Sequence, residues 1–160
     1  FKGFPAVINF PSPGFAYGQH RRNLERNNYG VQQELKTLRT AKELGFYTFG
    51  LAYDEEIAMQ IAADNHDALV LGLAMLEWES GGATLEQAAE YINRVSTKVK
   101  AVAPEMLIFV QGLPVQTPED TQYIYDHTDA VGFIGINNMD YGTKPIQDTV
   151  AAFKSAKIHA

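Results

Sequence analysis

Five short apolar runs, each followed by a polar loop and then an amphipathic segment, constrain the fold of this 160-residue chain most strongly. The runs are Ala6–Phe10, Tyr47–Ala52, Ala68–Leu73, Met106–Gln111 and Ala130–Ile136. They are rich in branched and aromatic residues and nearly free of polar ones, as is typical of parallel strands buried on both faces. Strict alternation of strand and helix predicts an α/β fold with right-handed crossovers.

The segments between the runs carry the start and stop signals of helices. One apolar face is predicted from Val31, Leu35, Leu38 and Leu44, ahead of a terminating glycine at Gly45. A second helix is predicted from Glu55 to Asp64 with Asp54 as its N-cap, and a third, opened by a capping box, runs from Thr84 to about Ala103. Two further helices are predicted, one beginning at Thr117-Pro118 and one from Lys144-Pro145 to about Ala156.

Two architectures are compatible with five such units. The strands could form an open, flavodoxin-like five-stranded sheet, or they could be five units of an eight-unit TIM barrel, which usually needs about 200–250 residues. Long polar and aromatic loops after the strands, and the lack of a glycine-rich phosphate fingerprint, favour the barrel. We therefore predict a single α/β domain over residues 1–160, an incomplete barrel that lacks three units.

Composition excludes several classes of function. The net charge of −6 opposes a general nucleic-acid or anionic-membrane surface. The chain has no cysteine, which removes disulfides and thiolate catalysis and fits a reducing compartment, so we expect a cytoplasmic protein. The longest uncharged apolar run, Ala68 to Leu76, is too short to span a bilayer. No histidine pair has the spacing of metal ligands.

Two carboxylates after the third run are the candidate catalytic residues. In a barrel, ligands meet the residues at the carboxyl ends of the strands. Glu77 and Glu79 flank Trp78 there, and two such carboxylates could serve as an acid/base pair or bind a divalent cation such as Mg²⁺. A structural or interface role is the alternative, and the sequence leaves the cofactor unknown.

The same rule gives the candidate ligand-binding residues, which supply hydrogen bonds, positive charge or close backbone approach. They are Asn9, Ser12, Arg21, Arg22, Gln111, Gly112, Gly135, Asn137 and Asn138. Arginine suits bidentate binding of carboxylate or phosphate, and glycines after the last two strands fit a barrel phosphate site. The alternatives are a solvated helix for the arginines, ordinary turns for the glycines, and satisfied loop backbone for the amides.

A collinear series of short signals gives the chain a family resemblance. It runs from Gly3-Phe4 and Asn9-Phe10-Pro11 through Asp54-Glu55-Glu56, Asp67-Ala68-Leu69-Val70 and Pro118-Glu119-Asp120 to Gly132-Phe133. In this order the chain resembles the phosphoenolpyruvate hydrolase-like family, also called TIM-barrel signal transduction proteins. The resemblance implies that the five runs are strands four to eight of a barrel, completed by a complementary N-terminal chain or by homo-oligomer formation.

The resemblance also implies the function. It predicts a protein that acts on, or binds, a small anionic oxoacid or phosphorylated oxoacid, with hydrolase or lyase activity on phosphoenolpyruvate-like substrates. The chain departs from the family pattern where Gly72 and Gln111 stand at positions that carry histidine in the family. A non-catalytic ligand-sensing or protein-interaction module in signal transduction is therefore the alternative.

Overall fold

The computed structural model describes residues 5–76, 82–135 and 146–158. Its strands are β1 (Ala6–Ile8), β2 (Tyr47–Ala52), β3 (Ala68–Gly72), β4 (Leu107–Gln111) and β5 (Gly132–Ile134). Its α-helices are α1 (Gly18–Arg26), α2 (Val31–Glu43), α3 (Glu55–Ala63), α4 (Leu85–Val102), α5 (Pro118–His127) and α6 (Ile146–Lys154). A short 3₁₀ turn, Pro13–Phe15, precedes α1.

All five strands are parallel, and their order in the sheet is the order of the chain, β1-β2-β3-β4-β5. A flavodoxin-like sheet has the order 2-1-3-4-5, because its chain reverses direction after the first unit. The flavodoxin-like alternative is therefore wrong. The predicted βα units are confirmed, and they form a curled half-barrel.

The core lies between the helices and one face of this sheet. Side chains that alternate along β3 and β4, such as Leu69, Leu71 and Ile108, are fully buried against the helices. The opposite face, which would line the interior of a barrel, carries Tyr47 and Leu107, and each retains more than a third of its exposure. The outer face is therefore covered by helices, whereas the inner face is partly exposed at the amino ends of β2 and β4 and buried at Ala68 and Val70 of β3.

The predicted helix caps are confirmed. Asp54 accepts a 2.8 Å hydrogen bond from the Ile57 amide at the start of α3. Thr84 and Thr117 each form a capping box, at the starts of α4 and α5. Each cap satisfies a backbone N–H that the first helical turn leaves unpaired. The caps hold the starts of these helices at the carboxyl edge of the sheet.

Several predicted positions are wrong, and the fifth strand, for example, begins at Gly132 rather than Ala130. The first strand ends at Ile8 rather than Phe10, because the side chain of Asn9, not its backbone, bonds to both the N–H and the C=O of Leu51. Leu44 is 71% exposed instead of lying on the buried face, because it follows the last residue of α2.

Among the described residues, no helix combines the length and apolar character that crossing a bilayer requires.

Candidate functional site

A half-buried carboxylate, Glu34, lies under the loop that follows β1. Its Oε2 accepts a 2.6 Å hydrogen bond from Ser12 Oγ and a 3.1 Å bond from Asn9 Nδ2. Within the described part of the chain, no hydrogen bond reaches Oε1. Two predicted ligand-binding residues thus hold one of the two carboxylate oxygens.

Local structure fixes both donors. Ser12 is buried, and its Oγ also accepts a 3.0 Å hydrogen bond from the Gly14 amide, which caps the 3₁₀ turn. Asn9 Oδ1 accepts a 2.6 Å bond from the Leu51 amide, while its Nδ2 donates to the Leu51 carbonyl as well as to Glu34. Asn9 and Ser12 therefore link the ends of β1 and β2 to α2.

Burial dominates the electrostatics of this carboxylate. It raises the pKa of Glu34 above the ordinary value of 4.5, the hydrogen bonds from Ser12 and Asn9 lower it in part, and the charge of Glu25 raises it. Glu25 accepts a 2.8 Å hydrogen bond from the Val31 amide and so caps α2. A carboxyl group whose pKa lies closer to neutrality is suited to exchange protons.

Tyr53 brings a phenol to the same edge, directly after β2. A Cβ atom placed on Gly72 would lie 2.5 Å from Tyr53 Cδ1, and one on Gly14 would lie 3.2 Å from Tyr53 Cδ2. The ring therefore fills the space that these two glycines leave. Burial, followed by the charge of Glu34, raises the pKa of Tyr53, so the phenol remains a hydrogen-bond donor at neutral pH.

The two predicted anion-binding arginines, Arg21 and Arg22, have different hydrogen-bond partners. Arg21 Nη1 donates a 2.8 Å hydrogen bond to Asp54 Oδ2, one residue beyond Tyr53. Arg22 is exposed and bonds through Nε and Nη2 to Gln19 on the same helix. Both belong to α1, as the solvated-helix alternative predicted, but Arg21 points towards the carboxyl edge of the sheet.

The other described candidates lie further along the edge. Gln111 ends β4 beside Gly72, and its carbonyl accepts a 2.9 Å hydrogen bond from the Leu73 amide. Gly112 has a φ of +92°, so it supplies a conformation that other residues rarely adopt. Gly135 lines an apolar cavity beside β5 and α6. No described contact joins these three residues to Asn9, Ser12 or Glu34.

The remaining candidates lie outside the described residues. These are the predicted catalytic pair Glu77 and Glu79 and the predicted ligand-binding pair Asn137 and Asn138. Within the described ranges, no group of three or more histidine, aspartate or glutamate side chains is placed to hold a metal ion.

Sequence reasoning missed Glu34, although the sequence carries a signal for it. Val31, Leu35 and Leu38 are the buried residues of α2. Residues three and four apart share a helix face, so Glu34 lies three residues after Val31 and four before Leu38, on the buried side. An acidic residue among the buried positions of a helix that follows a strand is the sequence pattern that would have identified it.

Three cavities of the described part lie away from this cluster. One, of about 380 Å³, lies beside β5; a second, of about 290 Å³, lies beside β1; and a third, of about 440 Å³, lies at the amino ends of the strands near His66. Glu34 and Tyr53 line none of them. The polar cluster of buried Ser12 and partly buried Asn9, Glu34 and Tyr53 is therefore separate from these three cavities.

Five sequential βα units with a polar cluster at the carboxyl edge define a protein of the TIM-barrel type. The chain belongs to the phosphoenolpyruvate hydrolase-like family, whose model matches residues 1–156. The resemblance inferred from the sequence is thereby confirmed.

Known proteins agree with this class. Two solved structures share the fold: "Native KDPGal structure" is 19% identical with a TM-score of 0.51 and covers 76% of this chain and 53% of that one. A designed cube-shaped protein cage is 17% identical with a TM-score of 0.52 and covers 76% of this chain and 40% of that one. At this identity the likeness shows the fold alone.

The curated relatives are longer proteins. One is y4pA of Sinorhizobium fredii, named as a candidate transcriptional regulatory protein, which is 29% identical over 162 residues. Another is the ToMV susceptible protein tm-1(GCR26) of Solanum lycopersicum, which is 27% identical over 155 residues. The matches cover 96% and 94% of this chain but only 26% and 20% of the relatives. The chain thus spans about a quarter or less of their length.

Proposed function

We propose that the carboxyl edge of the half-barrel binds a small anionic oxoacid or its phosphorylated form. The single observation that carries this proposal is the polar cluster of Asn9, Ser12, Glu34 and Tyr53, which lies where barrel proteins bind their ligands. The family description, phosphoenolpyruvate hydrolase-like, names an anion of this class.

Arg21 supplies the positive charge of this site. Its side chain retains 29% of its exposure, and Nη1 is its one nitrogen that bonds to a described residue. A guanidinium group has five N–H donors in a planar fork, so it can bind a ligand carboxylate while it remains paired with Asp54. Gln111, at the end of β4, is the proposed donor from the other side of the edge.

Titration calorimetry of the intact chain with pyruvate and with phosphoenolpyruvate tests this proposal. Arg21→Met should weaken binding about 10–100-fold, the usual loss for a charge-assisted hydrogen bond. Arg22→Met is the matched control on the same helix and should leave affinity unchanged. The proposal fails if the intact chain binds neither ligand, or if the two variants weaken binding equally.

A second candidate function is non-catalytic ligand sensing or protein interaction. The name of the Sinorhizobium relative favours it, because it describes a regulatory protein. Gly72 favours it too, because it stands where the family pattern carries a histidine, and glycine has no side chain that could transfer a proton. Ligand binding without turnover of phosphorylated and free oxoacids would support this function, and turnover would exclude it.

We also propose that three further parallel βα units complete the sheet, supplied by a longer chain or by a complementary one. The inner face presents a row of partly exposed aromatic rings, with centroids of Tyr47 and Phe49, and of Phe49 and Phe109, 5.3 Å apart. Apolar grooves also lie beside both edge strands, β1 and β5. A second copy fits less well, because two such sheets give ten strands rather than eight.

Light scattering of the isolated chain tests this completion. A partly exposed apolar inner face should drive concentration-dependent association, because exposed apolar patches and free strand edges promote it. Leu107→Glu, on the inner face, should reduce association, whereas Thr97→Glu, on the exposed side of α4, should not. A chain that stays monomeric at high concentration would contradict the proposal, and a discrete dimer would indicate self-association instead.

A further inference from the structure

We propose that Glu34 is the proton-transfer residue of this edge and that it removes a proton from the carbon next to the carbonyl group of a bound 2-oxoacid. The inference rests on the proposed function and deepens it. It assigns to Glu34 the acid/base role that the sequence suggested for Glu77 and Glu79.

Geometry is the first support. Ser12 and Asn9 both donate to Oε2, so they fix the orientation of the carboxylate while Oε1 accepts from no described residue. A general base needs an oriented group with a free lone pair within hydrogen-bond reach of the proton that it removes. The support is rigid, since Ser12 is buried and Asn9 is held by the Leu51 backbone.

The phenol of Tyr53 is the second support. Removal of the proton leaves the electron pair of the C–H bond in a new carbon–carbon double bond, and the carbonyl oxygen becomes an enolate. A donor that remains protonated stabilises that oxygen. Tyr53 meets this requirement, since its ring is fixed against Gly14 and Gly72, and burial and the charge of Glu34 raise the pKa of its phenol.

The step balances without a co-reactant. Glu34 carboxylate accepts the proton and becomes a carboxylic acid, the substrate becomes an enolate, and the reverse step returns a proton to the same carbon. In D₂O the acid exchanges its proton with solvent, so the returned particle is a deuteron. The net result is exchange of substrate hydrogen for deuterium, with no oxidant, reductant or leaving group.

The experiment follows deuterium incorporation into pyruvate by proton NMR, with binding measured in parallel by calorimetry. The intact chain should accelerate exchange over buffer. Glu34→Gln should bind pyruvate and lose about 10²–10⁴-fold of the exchange rate, the usual contribution of a positioned base. Tyr53→Phe should lose about 10²-fold, as for one oxyanion donor. Glu43→Gln, exposed on the same helix, should change neither quantity.

The pH at which the exchange rate rises is a second readout, because it does not depend on how much of a variant is folded. The exchange rate of the wild-type chain should rise with pH through the raised pKa of Glu34, and Ser12→Ala should move this inflection to higher pH because a donor to the carboxylate is lost. Glu34→Asp should restore part of the exchange that Glu34→Gln loses.

The outcomes separate the two proposals. Binding without accelerated exchange, exchange by Glu34→Gln at the wild-type rate, or an inflection that Ser12→Ala leaves in place would each overturn the role of Glu34 while the binding site stands. Absence of pyruvate and phosphoenolpyruvate binding by the wild-type chain would overturn the proposed function itself.

Discussion

Ser12 Oγ donates a 2.6 Å hydrogen bond to Glu34 Oε2, across 22 residues of sequence. This bond favours the ionised carboxylate and opposes the burial that favours its neutral form. It therefore sets how readily Glu34 gains and loses a proton at the carboxyl edge of the sheet.

Ser12→Ala should raise the pKa of Glu34 further, because the donor is lost and burial remains. It should also cost about 1–2 kcal/mol of stability, because the Gly14 amide loses its acceptor. Carbon-13 NMR of the Glu34 carboxyl group measures the first effect and urea unfolding the second. Ser155→Ala is the control, since its exposed hydroxyl bonds within the last helical turn. An unchanged or lowered pKa would contradict the prediction.

Glu34→Gln should alter the pH dependence of stability. Because the pKa of folded Glu34 lies above 4.5, the folded chain keeps this proton when the unfolded chain has released it. The free energy of unfolding therefore falls as pH rises from about 4.5 through the raised pKa of folded Glu34. Glutamine cannot ionise, so the variant should gain stability relative to the wild type between about pH 4.5 and neutrality. Urea unfolding across this range measures the effect, with Glu43→Gln as the control. A stability of Glu34→Gln that fell relative to the wild type with rising pH would contradict the prediction.

The sequence predicted the strands, their parallel direction and the caps, because each can be recognised from a local pattern. Apolar runs identify strands buried on both faces, and Asp54, Thr84 and Thr117 each bond within their own helical turn. It did not predict the pairing of Ser12 with Glu34, because such a contact depends on how α2 packs against the loop after β1. It also overextended the first strand to Phe10, which is 47% exposed, because the Asn9 side chain takes the Leu51 backbone groups and so ends the ladder there.

Asp54→Asn should separate the cap of α3 from the ion pair with Arg21. Asparagine is as good an N-cap as aspartate, so stability should fall by less than about 1 kcal/mol. Asp54→Ala loses the cap as well and should cost about 1–2 kcal/mol. Loss of the competing negative charge should also tighten oxoacid binding, which calorimetry would measure. Weaker binding by Asp54→Asn would show that Arg21 needs Asp54 to hold it in position.

His66 should make the fold sensitive to acid. It is 2% exposed, its Nδ1 lies 3.0 Å from Thr48 Oγ1, and its Nε2 has no hydrogen-bond partner among the described residues. Burial lowers the pKa of His66 below 6.5, against the opposing charge of Asp64, which lies 4.0 Å away, and of Asp67, while Lys42 and Arg39 lower it further.

The unfolded chain therefore binds this proton first, so the contribution of His66 to stability is lost as pH falls below about 6.5. Urea unfolding at about pH 7.5 and about pH 5.5 measures the loss, and His66→Gln should reduce the difference between the two values. His127→Gln is the exposed control. An equal pH dependence in the wild type and His66→Gln would contradict the prediction.

Amide NMR of the intact chain during titration with phosphoenolpyruvate tests the position of the ligand site most directly. We predict saturable shifts at Asn9, Ser12 and Gly14, and at Tyr53 and Asp54, with smaller or no shifts near His66 at the amino ends of the strands. Shifts confined to the amino-end cavity, or none at saturating ligand, would contradict it.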